Sequence, residues 1–149
     1  MAAKRRHILV AISVLLIVGV FVTACASLPS WGIGRASIDS ERVDEIVGKL
    51  ILVSLKAENK IRRTGQGLTS ETLKADLVKS NPVLLRYFDD LSLEFEVQGR
   101  HVIALVCDKA KTYAVAEDSA CTAAVDRKDA TGKKPCAFTL QSARICTHQ

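Results

Sequence analysis

Four cysteines, Cys107, Cys121, Cys136 and Cys146, crowd the last part of this 149-residue chain, and they are its densest source of chemistry. Thiols at such positions can bridge, ligate a metal or act as a redox or nucleophilic pair. Structural zinc sites and thioredoxin-like redox pairs favour short paired spacings such as C-x-x-C. No two of these cysteines stand that close. The set therefore reads as two disulfides in an oxidising compartment, with no metal and no cofactor. Four cysteines allow three connectivities. The preferred one nests Cys121–Cys136 inside Cys107–Cys146, so that the outer bridge ties the C-terminus to a strand.

Other chemistry is sparse. The histidines are His7, His101 and His148. His101 opens a predicted strand and reads as a surface cross-strand partner of Glu96 or Gln98 rather than as a catalytic base. No G-x-S-x-G, H-E-x-x-H or phosphate-binding loop occurs, and Gly65-Gln66-Gly67 reads as a helix stop. The carboxylates Asp89, Asp90, Glu94 and Glu96 fall on a polar sheet face rather than across a cleft. Asp126, Asp129 and Thr131 depart from the calcium-loop pattern. No catalytic residue is assigned, and the chain reads as a non-enzyme.

The fifth cysteine has a different context. Cys25 closes the run Val22-Thr23-Ala24-Cys25, after Lys4-Arg5-Arg6 and an apolar stretch over residues 8–24. A basic start, an apolar core and small residues before a cut site make a secretory signal. The last four residues resemble the lipobox of bacterial lipoproteins, and the resemblance covers residues 1–25 only. It implies cleavage before Cys25, lipid on its sulfur, and a domain outside the cytoplasm. In Gram-negative members an Asp after the Cys tends to mark inner-membrane retention; residue 26 is Ala, so the resemblance implies the outer membrane, facing the periplasm. Two alternatives stay open: an uncleaved anchor, since the apolar stretch is near the lower limit of about 17 residues for a span, and cleavage after Ala26.

The formal charge of +5 is inflated by the leader. Without Lys4, Arg5 and Arg6 it falls to about +2, a nearly neutral domain with no basic stripe interleaved with aromatics, which argues against nucleic acid. The organisation is a signal peptide (1–24), a lipidated Cys and Ser/Gly/Pro-containing tether (25–39), and one domain (40–149). Trp31 and Ile33 in the tether either dip toward the bilayer surface or pack on the domain.

The elements follow from periodicity. Ser40 caps a helix whose apolar positions are Val43, Ile46, Val47, Leu50, Val53, Ser54, Ala57 and Ile61. Lys60, Arg62 and Arg63 suit its C-terminus, and Gly65 and Gly67 stop it. A second helix runs over about 70–79 with Thr69 or Ser70 as cap and Leu73, Leu77 and Val78 inward. Asn81-Pro82 restarts the chain into a buried turn of Leu84, Leu85, Tyr87 and Phe88. Leu91, Leu93, Phe95 and Val97 alternate with polar residues, Gly99 turns, and 101–107 returns. A two-residue loop sets Val102, Ala104 and Val106 beside them, and the C-terminal segment covers part of the opposite face. A third strand spans 112–117, 126–135 is an exposed loop, and 139–146 a short closing helix. The fold class is α+β: N-terminal helices on a small antiparallel meander, closed by disulfides.

The expected function is a lipid-anchored envelope protein that holds to the membrane through Cys25 and binds another envelope protein. The expected contact residues are Ile103 and Leu105 on the second hairpin face, or Ile51 and Leu55 on the outer side of the first helix, all apolar yet off the main stripe. A small-ligand or lipid carrier is the alternative.

Overall fold

The computed structural model describes residues 38–65 and 67–146. Cys25 with its lipobox, the apolar stretch 8–24, Trp31, Ile33, His7 and His148 lie outside the described residues. The order is helix α1 (Ser40–Thr64), α2 (Ser70–Ser80), α3 (Pro82–Leu85), a single 3-10 turn (Arg86–Phe88), strands β1 (Leu91–Gln98), β2 (His101–Asp108), β3 (Ala114–Ser119) and β4 (Arg127–Lys128), and a closing turn of helix α4 (Ser142–Ile145). The strands form one antiparallel sheet in the order β1-β2-β3-β4. The α+β class read from the sequence is the observed one. Among the described residues no helix is long and apolar enough to cross a membrane.

The N-cap of helix α1 falls one residue earlier than expected, so the helix already begins at Ser40. Asp39, not Ser40, occupies the N-cap and accepts a hydrogen bond from the Glu41 N–H at 3.0 Å. Its end is as read: Gly65, at φ 80°, takes a backbone conformation open to glycine, and its N–H reaches the Ile61 carbonyl at 3.0 Å. The stripe Val43, Ile46, Leu50, Val53, Ala57 and Ile61 is buried, with Val47 half-buried. Helix α2 is capped by a reciprocal Thr69–Thr72 box. Leu73 and Leu77 face inward, but Val78 does not: it is 49% exposed, because α2 has only a narrow contact on β1. Asn81 holds the N-cap position of α3 without a side-chain cap bond.

The hairpin register is the expected one, with Leu93↔Val106, Phe95↔Ala104 and Val97↔Val102. Gly99, at φ 66°, takes the turn position that needs a positive φ. Strand β3 starts later than the sequence suggests. The Asp108 carboxylate accepts from the Thr112 and Tyr113 N–H groups at 2.5 and 2.8 Å, which holds those residues in the turn. Opposite Val106 and Cys107 the register slips, so Val115 and Ala116 both join the helix-side core while Ala114 joins the opposite face.

Three expectations fail in the C-terminal third: the loop, the closing helix and the disulfide pairing. The segment 126–135 is not simply a loop, because Arg127–Lys128 adds strand β4. Buried Glu117 explains this: its carboxylate meets Arg127 Nε at 3.1 Å and accepts from the N–H groups of Thr139 and Leu140 at 2.7 and 3.0 Å. A fully buried carboxylate must be paired, and the strand register that pairs it is the one observed. The closing helix shrinks to Ser142–Ile145.

The bridges are Cys107–Cys136 and Cys121–Cys146, interleaved rather than nested. Chain direction is the reason. A Tyr113–Pro135 bridge and the bond from the Ala114 N–H to the Lys134 carbonyl, 2.9 Å, bring Cys136 to the Cys107 end of the sheet. The chain then crosses the sheet, laying Phe138 on Leu105 and Cys107 and Ser142 on Gln98, and delivers Cys146 to the far end beside Cys121. Three layers result: helices, sheet and the C-terminal segment, which covers the second hairpin face as anticipated.

Candidate functional site: a cationic groove at the sheet edge

Strand β1 is an edge strand, so its outer side must be managed. Lys74 on α2 does part of this by donating from Nζ to the Leu93 carbonyl at 2.6 Å. Beside it lies an open groove of about 490 Å³. Its apolar lining is Val78, Pro82, Leu85, Phe88, Leu91 and Leu93, and its cations are Lys74, Arg86, Lys109 and Lys111. These four come from three places in the chain: α2, the 3-10 turn and the β2–β3 turn. Asp89 is the one carboxylate in the lining.

The lysines are held rather than loose. Lys109 donates to the Asp89 carbonyl at 2.5 Å, and Lys111 pairs with Glu94 at 2.7 Å. Partial burial pushes the Glu94 carboxyl up, but the hydrogen bonds from Lys111 and Ser92 and the Lys74 charge outweigh it and hold it below its ordinary value. Arg86 is exposed at the rim. Pro82 also lines a second groove of about 460 Å³ on the other side of α3, with Lys49, Val83, Leu84 and Tyr87. Tyr87 lies under two cations, Arg42 at 4.8 Å and Lys49 at 5.1 Å. Val83, in the lining of this second groove, is 78% exposed. Apolar floor and ammonium or guanidinium rim suit a ligand that carries aliphatic groups and carboxylates or phosphates together.

A separate polar cluster occupies the opposite end of the sheet. Ser54 and Glu58, one turn apart on α1, are buried with Asp118 of β3. Ser54 Oγ donates to the Asp118 carboxylate, and the Ser119 N–H donates to Asp126 at 3.0 Å. Burial, reinforced by the nearby Asp126 charge, raises the Asp118 carboxyl above its ordinary value despite the bond from Ser54. A raised folded-state value makes the neutral acid the form that folding favours. Its contribution is therefore intact below the ordinary Asp range and is lost as pH rises through the folded-state value. Asp118→Asn, which keeps an acceptor for Ser54, should be more stable than wild type at pH 7 and should lose that advantage near pH 3. Urea midpoints of both proteins across that window check it; an advantage independent of pH would contradict the assignment. Glu94 and Asp129, the latter held below its ordinary value by hydrogen bonds from Thr131, contribute the opposite slope equally in both proteins.

The structure redistributes the residues singled out from sequence. Ile103 and Leu105 are 0% and 1% exposed, so they are core and not a contact surface. The C-terminal segment that the same reasoning placed over them closes that face fully. Leu55 is exposed at 42%, with Leu52 beside it, while Ile51 is half-buried. His101 stands opposite Gln98 as expected, yet its Nδ1 lies 3.5 Å from the Glu58 carboxylate, and the Gln98 side chain serves the Ser142 N–H instead. Asp126 and Asp129 accept from turn N–H groups, the ordinary work of such residues. Sequence reasoning missed the groove cations. Lys74 and Arg86 lie on helical segments and Lys109 and Lys111 in the β2–β3 turn, and no local signal brings them together.

The fold is a small disulfide-closed α+β domain with a cationic, amphipathic groove at the edge of its sheet. Searches against family models, curated proteins and solved structures find no match to this chain.

Proposed function

We propose that this chain is a non-enzymatic envelope lipoprotein. Lipid on Cys25 holds it to the membrane, at the outer membrane facing the periplasm, and the groove beside β1 binds an acidic, amphipathic segment of another envelope protein. The groove carries the reading: Lys74, Arg86 and Lys109, with Lys111 paired to Glu94, surround an apolar floor at the edge of the sheet against the single lining carboxylate of Asp89. Charge complementarity of this kind selects partners and speeds encounter. A tether over residues 25–39 would range over about 5–6 Å × √n, which confines the domain near the bilayer and raises its effective concentration for membrane-bound partners. The two disulfides agree with an oxidising compartment. The alternative, a carrier of small or lipid ligands, calls for an enclosed apolar cavity, whereas this groove is open.

A photo-crosslinking residue at Val78, in whole cells, tests the site. Wild type should give a discrete adduct with an envelope protein. Arg86→Glu with Lys109→Glu should reduce it at least tenfold without lowering the amount of protein, and Leu55→Glu should leave it unchanged. An adduct indifferent to the groove charges but lost with Leu55→Glu would move the interface to α1. Fatty-acid labelling tests the anchor separately: Cys25→Ala should lose the label, and equal label in both proteins would end the lipoprotein reading.

A further inference from the structure

The Cys121–Cys146 bridge does not stand in a plain apolar setting. A ring nitrogen of His101 and the two sulfurs lie within 4.8 Å of one another. Glu58 Oε1 is 3.5 Å from His101 Nδ1, and the Glu58 side chain is only 4% exposed. Arg62 takes up Oε1 at 2.6 Å, while Glu58 Oε2 and His101 Nδ1 are both buried without a hydrogen-bond partner among the described residues. A buried polar atom left unsatisfied is costly and marks a place where a partner would be favoured. The Ser119 hydroxyl lies 3.1 Å from the Cys121 sulfur and 3.6 Å from that of Cys146. A purely structural bridge needs none of these polar neighbours.

We propose that Cys121 and Cys146, once reduced, bind a thiophilic divalent cation of the zinc class together with His101, with Glu58 behind the imidazole to orient it. Bridge and metal are then alternative closures of the same end of the sheet. The donor types are those that tetrahedral zinc takes, and its bond lengths set ligand atoms roughly 3.3–3.8 Å apart. The three atoms already cluster near that scale, and opening the bridge frees the sulfurs to part to it. Charge also balances. Two thiolates and a carboxylate bring three negative charges, which the dication and Arg62 offset. Ser119 can donate to either thiolate.

The conversion has a defined stoichiometry. An external dithiol attacks one sulfur, the S–S bond breaks, and the dithiol leaves as its own disulfide after supplying two electrons and two protons. Metal entry then displaces the two thiol protons. This site is independent of the β1 groove and does not rest on the function proposed for it.

The test uses full-length protein in detergent, oxidised or reduced with a non-chelating phosphine, with zinc ion alone as the probe. After desalting, reduced protein should hold one zinc per chain and oxidised protein none. Alkylation of the wild type, mapped by mass spectrometry, should show zinc shielding Cys121 and Cys146 but not Cys107 and Cys136. This locates the site without relying on a cysteine variant that folds. His101→Ala and Glu58→Gln should each weaken zinc binding on the order of 10–100-fold in competition with a chromophoric chelator. Near-ultraviolet dichroism should show zinc restoring the fold of the reduced chain. Zinc bound equally by oxidised protein, shielding at Cys107 and Cys136 instead, affinity unchanged in both variants, or a reduced chain that zinc leaves unfolded would each overturn the proposal.

Discussion

Ile103→Asp should leave no cooperative unfolding transition at 25 °C, whereas Leu55→Asp should unfold within about 1 kcal/mol of wild type. Both residues are aliphatic and both fall off the main apolar stripes, yet their surroundings are opposite. Ile103 is fully buried in the middle of β2, opposite Ser119 of β3 and under the C-terminal segment. Removing a buried Ile side chain costs about 2–5 kcal/mol, and an unpaired carboxylate in its place adds several more. Small domains have only about 5–15 kcal/mol to lose. Leu55 stands on the solvent side of α1, where a substitution costs little beyond helix propensity. Urea titrations followed by far-ultraviolet dichroism decide it. A cooperative, near-native transition in Ile103→Asp would mean that the C-terminal segment does not seal this face.

Loss of the bridges should be nearly as costly. The Cys107–Cys136 and Cys121–Cys146 loops have sequence separations of 29 and 25 residues. In the chain-entropy model, loops of that length correspond to about 3.5 kcal/mol apiece. The loops overlap, so the second bridge constrains a chain that the first has already shortened, and the two contributions are not additive. The Cys107→Ser, Cys136→Ser pair of substitutions should lower stability by about 2–4 kcal/mol. It should also free Phe138 from Leu105, detectable as faster amide exchange in β2 and β3. Breaking both bridges should consume most of the stability of the domain. Peptide mapping under non-reducing conditions checks the connectivity independently: fragments joining Cys107 to Cys146 would contradict the interleaved arrangement. A reduced protein as resistant to urea as the oxidised one would show that packing alone holds the C-terminal segment.

The fold was legible wherever one local rule decided the outcome. The α1 stripe, the glycine stop at Gly65, the Thr69 cap and the Leu91–Val97 alternation each follow from residues within a turn or a strand of one another. The facing of Val102, Ala104 and Val106 followed as well, since a two-residue hairpin leaves no freedom of register. Legibility ended where burial depends on distant partners. Glu117 and Asp118 carry no local mark of burial, yet both are buried, with Arg127 meeting one and Ser54 the other. Nothing near Glu58 in the chain marks it out; the fold brings His101 to it, and the Cys121–Cys146 bridge to His101.

From the sequence alone came the parts: which stretches are helical, which strands form the hairpin, and that four cysteines would pair; the resemblance of residues 22–25 to a lipobox is a proposal that also rests on sequence alone. These depend on short-range periodicity and composition, which a linear chain states directly. Tertiary structure alone decided which cysteine meets which, whether Ile103 and Leu105 face solvent or core, and where four cations from α2, the 3-10 turn and the β2–β3 turn converge. Each of these depends on the direction in which one segment crosses another. That direction is set by packing and by the pairing of buried charges, and no window of neighbouring residues contains it.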